Sequence, residues 1–118
     1  MPGISIHVVD VSRGVVCEGM AVAVYALDAA GMETPVARGK IGHSGVLDDA
    51  MLSATFKPGP YRAVFQVGDY YRSAGIALPQ VPFLDVVTYD FGIDDPRQHY
   101  HLPMKVTPFG YSCFRGGA

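Results

Sequence analysis

The chain has 118 residues, of which 49% are hydrophobic and 17% charged, and its formal net charge is −2. That length and balance predict a single domain, residues 1–118, with a filled core, and exclude disorder. No basic run offers a nucleic-acid footprint, and no apolar stretch approaches the roughly 20 residues of a membrane span.

The first residues, Met1 to His7, lack a charged segment followed by an apolar one, so a cytoplasmic location is expected. From Ile4 to Asp10 the chain alternates, with Ile4, Ile6 and Val8 on one side and Ser5, His7 and Val9 on the other. Ser12-Arg13-Gly14 punctuates. Met20 to Leu27 predicts a second, mostly apolar strand, Asp28 to Gly31 a hairpin turn, and Pro35 to Ile41 a third strand that His43-Ser44-Gly45 ends. Residues 46 to 57 hold a short edge strand at most, and Lys57-Pro-Gly-Pro60 reads as a breaker.

Tyr61 to Val67 predicts a strong strand. Asp69 to Gly75 predicts one short helix, with Asp69 as N-cap and Gly75 at its end. Leu84 to Phe91 is a further strand, Asp94-Asp95-Pro96 a turn, and His99 to Thr107 the last long strand. A turn at Pro108 to Gly110 leads into Tyr111 to Arg115, paired back as a hairpin. Seven or eight short strands between Gly- and Pro-rich turns predict an all-β sandwich or barrel with one helix.

The His99–Thr107 strand has two unlike faces. Tyr100, Leu102, Met104 and Val106 form a core row, while His99, His101, Lys105 and Thr107 form a polar row broken by Pro103. His7 likewise points away from the core, and His43 sits in a turn. Three uses of these imidazoles compete: hydrogen-bonded surface residues, a zinc site, or acid–base catalysis near neutrality. Against zinc, no carboxylate or cysteine stands at a usual ligand spacing. Cys17 and Cys113 read as two reduced, semi-buried side chains without redox chemistry.

His7-Val-Val-Asp10 resembles the N-terminal His-Val-Leu-Asp motif of the transthyretin-like 5-hydroxyisourate hydrolases. Lys57 to Tyr61 and Phe65 to Tyr71 resemble that family's central strand and the start of its helix. His99-Tyr-His-Leu-Pro103, with Pro108 to Ser112 and Phe114-Arg-Gly-Gly117, resembles its C-terminal signature, normally ending Tyr-Arg-Gly-Ser. The resemblance runs over essentially the whole chain. It implies a transthyretin-like sandwich of two antiparallel sheets with one short helix. It also implies a homotetramer, a dimer of dimers enclosing a channel that holds the sites. The implied reaction is water attack on a small cyclic amide between urate and allantoin, with no cofactor and no metal.

By the same resemblance His7 and His101 match the catalytic histidines, and Arg115 matches the arginine of the C-terminal tetrapeptide. His99, Val46, Phe114 and Gly117 complete the expected substrate pocket. Three positions depart from the family pattern. Its Asp-Gly-Arg motif appears as Ser44-Gly45-Val46, its tetrapeptide tyrosine as Phe114, and its serine as Gly117, with Ala118 beyond. Each change removes a donor, and losing one that holds developing charge costs ~100- to 1000-fold in rate. His43, Arg62 and Lys105 are the candidate replacements. Two alternatives follow: a less polar cyclic or carbonyl substrate in a biosynthetic pathway, or transthyretin-like binding of a small molecule without catalysis. A structural oligomer with no small-molecule site is the remaining one.

Overall fold

The computed structural model describes residues 2–117. The strands in chain order are β1 (Gly3–Asp10), β2 (Val15–Val16), β3 (Ala21–Leu27), β4 (Glu33–Lys40), β5 (Gly59–Gln66), β6 (Val86–Ile93), β7 (His99–Thr107) and β8 (Gly110–Cys113). Helix α1 (Val67–Ser73) joins β5 to β6, and a short 3-10 turn occupies Ala50–Ser53. They form two four-stranded sheets, in the orders β2-β1-β7-β8 and β4-β3-β5-β6.

The sandwich follows from alternation. β1 sends Ile4, Ile6 and Val8 inward, and β7 sends Tyr100, Leu102, Met104 and Val106. The facing sheet supplies Val22, Val24, Ala63, Phe65 and Val87. Each large side chain among these, taken out of water, stabilises the fold by about 1.5–3 kcal/mol. The expected two-sheet architecture with one helix is what forms. Within it, β1 and β7 run parallel, while all other neighbouring pairs are antiparallel. The β1–β7 pair joins the two ends of the chain, with Ser5 opposite His101 and His7 opposite Pro103.

Local details differ from the sequence expectation for identifiable reasons. The helix starts at Val67, not at Asp69, which lies in its first turn and pairs with Arg72 at 3.1 Å. No side chain caps it; instead the Gly68 N–H donates to the Asp85 carbonyl at 2.9 Å. A distant loop thus serves as the cap. Its other end is as expected: Gly75, at φ +77°, donates to the Arg72 carbonyl, and Ile76 to the Tyr71 carbonyl. That is the glycine-terminated 6→1, 5→2 closure.

The Lys57–Pro60 breaker runs into β5, since Gly59 and Pro60 pair with Ile93 and Gly92. β3 reaches β5 only from Tyr61, so the proline lies where the ladder is one-sided. β2 is too short to show a period in the sequence. Ala118 lies outside the described residues.

Candidate active site

Parallel pairing of β1 and β7 puts Ser5, His7, His99 and His101 on the outer face of one sheet, all half-buried. Ser5 stands between two rings: its Oγ lies 2.7 Å from His99 Nε2 and 2.7 Å from His101 Nδ1. His99 Nδ1 in turn lies 3.4 Å from the Pro2 carbonyl. Burial, foremost, pushes the His101 pKa below its ordinary value, and positive charge on His7 or His99 would lower it further. Both effects disfavour the His101 imidazolium.

His7 is framed from the other side. The Ser44-Gly45-Val46 segment runs along β1, with the Val8 N–H donating to the Gly45 carbonyl and the Leu47 N–H to the Ile6 carbonyl, both at 2.9 Å. Val46 pairs directly with His7 and is 38% exposed. Gly45 has φ +87°, and a Cβ there would stand 2.5 Å from His7 Nε2. Only glycine lets this loop close over the ring.

The tail reaches the same face. After β8 the Gly116 N–H donates to the His101 carbonyl at 2.7 Å, which carries residues 114–116 on alongside β7 in the β7–β8 register. Phe114 is exposed, with Lys105 Nζ 6.0 Å from its ring centre. Gly117 is exposed beyond it. Arg115 is exposed but has partners on β7 and the turn before it. Its guanidinium lies 4.1 Å from the Tyr100 ring centre and donates to Gln98 Oε1 at 3.0 Å and to the His99 carbonyl at 3.2 Å.

Two of the three candidate replacement donors lie elsewhere. Arg62 belongs to the opposite sheet, where Asp90 (2.7 and 2.9 Å) and Glu33 (2.9 Å) occupy its guanidinium. The His43 side chain is 97% exposed, beside Glu18. Of the three, Lys105 alone shares the β7 face with His101. Ser5 was legible only as a strand residue: its spacing of two from His7 places it on the right face, but no pattern pairs it with residues near the other end of the chain. Asp10, from the same N-terminal motif, is structural. Burial alone would raise its pKa, but hydrogen bonds from Ser12 and Arg13 (2.7 Å to Nε) outweigh it.

Both cysteines are free thiols. Burial pushes Cys17 up to about 12 and Cys113 up to about 11, so neither supplies a thiolate at neutral pH. Among the described residues no three His, Cys, Asp or Glu side chains converge to hold a metal ion.

An eight-stranded sandwich with imidazoles and a hydroxyl clustered outside its core is a scaffold for acid–base chemistry on a small molecule. The model of the HIUase/transthyretin family matches residues 4–116, and the chain belongs to that family. It is 37% identical to the 5-hydroxyisourate hydrolase of Pseudomonas aeruginosa, over 98% of this chain and 92% of that one. Among solved structures, Klebsiella pneumoniae 5-hydroxyisourate hydrolase superposes with a TM-score of 0.80 at 25% identity, covering 99% of this chain and all of that one. An (S)-allantoin synthase superposes with a TM-score of 0.87 at 31% identity, and this chain spans 43% of its length.

Proposed function

We propose that the chain is a hydrolase of the 5-hydroxyisourate type, acting in purine catabolism on a small cyclic amide. The observation that carries this reading is the placement of Ser5, His7 and His101 on one sheet face, in a chain whose relatives bear that activity's name. His7 and His101 are the catalytic pair. One imidazole takes a proton from the attacking water, and the other protonates or polarises the group that leaves. His99, Val46, Phe114 and Gly117 line the substrate's surroundings. Arg115 orients His99 through its backbone carbonyl.

The site acts within a homotetramer, where a second copy covers the β1–β7 face and limits its water. The exposure of Val46 and Phe114 around that face supports such a cover. A cytoplasmic location belongs to the same proposal, since both cysteines are unpaired.

The test is the decay of freshly generated 5-hydroxyisourate against its spontaneous rate. The wild-type chain accelerates it, and His7→Ala or His101→Ala lowers kcat by ~100-fold or more. A wild-type chain that leaves the spontaneous rate unchanged ends the reading. Val46 beside His7 favours a second one, a less polar cyclic substrate. Turnover of such a compound with none of 5-hydroxyisourate would decide for it.

A further inference from the structure

We infer that Ser5 and His99 are positioning residues that lock His101 as its Nδ1–H tautomer and so make His101 Nε2 the base of the site. The inference rests on the hydrolase reading and assigns within it a role that the histidine pair alone leaves open.

The donors and acceptors can be assigned in order from the Pro2 end of the hydrogen-bond chain. The Pro2 carbonyl can only accept, so His99 Nδ1, 3.4 Å away, carries its ring's proton. When its ring is neutral His99 has only that one N–H, and its Nε2 is a lone-pair acceptor. Ser5 Oγ, 2.7 Å from that nitrogen, donates its only proton to it. Having no second proton, Ser5 Oγ must accept from His101 Nδ1, also 2.7 Å away. His101 is left with its proton on Nδ1 and a bare lone pair on Nε2, which has no hydrogen-bond partner among the described residues. Histidine free in water prefers the opposite tautomer, so the arrangement is imposed by the relay.

The chemistry that follows is a single proton transfer. Water gives a proton to His101 Nε2 as its oxygen attacks the substrate carbonyl, and the imidazolium so formed keeps its Nδ1–H on Ser5 Oγ. Nothing else in the relay has to move. With the reverse tautomer Nε2 would already bear a proton and could accept none.

The tautomer can be read directly from the 15N shifts of the His101 ring, because protonated and bare nitrogens of a neutral imidazole differ widely. In the wild-type protein at a pH where the ring is neutral, His101 shows Nδ1 protonated and Nε2 bare. Ser5→Ala returns it toward the Nε2–H form, while Ser5→Thr keeps the native pattern. In turnover, Ser5→Ala lowers kcat by roughly 10- to 100-fold with KM little changed, and Ser5→Thr recovers most of it. A wild-type His101 with its proton on Nε2, or a tautomer indifferent to Ser5→Ala, overturns the inference. The nuclear measurement needs no substrate, so inactivity toward 5-hydroxyisourate would sink the hydrolase reading and leave this one standing or falling by itself.

Discussion

His101, taken as a single side chain, is set by partial burial and neighbouring charge. Both disfavour the imidazolium, burial most and then charge on His7 and His99, and both lower its pKa from 6.5. The consequence for stability has a definite sign. As pH falls below about 6.5 the unfolded chain takes up this proton before the folded one, so folding free energy drops until His101 titrates in the folded state too. Thermal unfolding across that window should show a decline that His101→Gln makes shallower. The same displacement puts the acid limb of kcat/KM below about 6.5, as a rate profile would show. A limb at or above that value would mean that a different group limits the rate.

Among the elements, the segment carrying Gly45 is what fixes His7. It adds no named strand, only two backbone hydrogen bonds along β1 and a left-handed turn. Gly45→Ala should cost about 1–2 kcal/mol for the left-handed backbone. Its Cβ would also fall 2.5 Å from His7 Nε2 and 2.7 Å from Val16 Cγ1, so the ring or the loop must move. Activity should therefore fall by a larger factor than the stability loss suggests, measured as kcat/KM beside a urea unfolding midpoint. Full activity in the Gly45→Ala variant would show that His7 needs no framing there. Neighbouring Val46 pairs with His7 and offers that ring no side-chain hydrogen-bond donor.

For the protein as a whole, the relevant fact is what the sandwich leaves uncovered. The imidazole face lies outside the core, and Val46 and Phe114 are exposed around it. A closed assembly with twofold axes would bury such a face against its own copy. Sedimentation at micromolar concentration should give four times the mass of the chain. A monomer there would leave the site open to bulk water and remove its proposed cover. Within one chain, Asp10 ties the end of β1 to α1: it binds Arg13, whose guanidinium donates to Tyr70 Oη at 2.8 Å. The helix is thus held to the sheet that carries the histidines.

The rows of the sandwich were legible before any folding. Two-residue alternation marked Ile4, Ile6 and Val8, and Tyr100, Leu102, Met104 and Val106, as core, and so turned His7, His99 and His101 outward. Glycine at 75 marked the helix end. The motifs pointed to the family, because they name residue types at fixed spacing. Alternation is local, however, and carries no information about which strands become neighbours. Folding in three dimensions made β1 and β7 parallel partners, brought Ser5 between two rings 94 and 96 residues away, and closed Gly45 against His7. It also committed Arg62 and Arg115 to other partners. Periodicity fixes the side of a sheet on which a group lies, whereas its proton, its pKa and its neighbours depend on contacts between segments far apart in the chain.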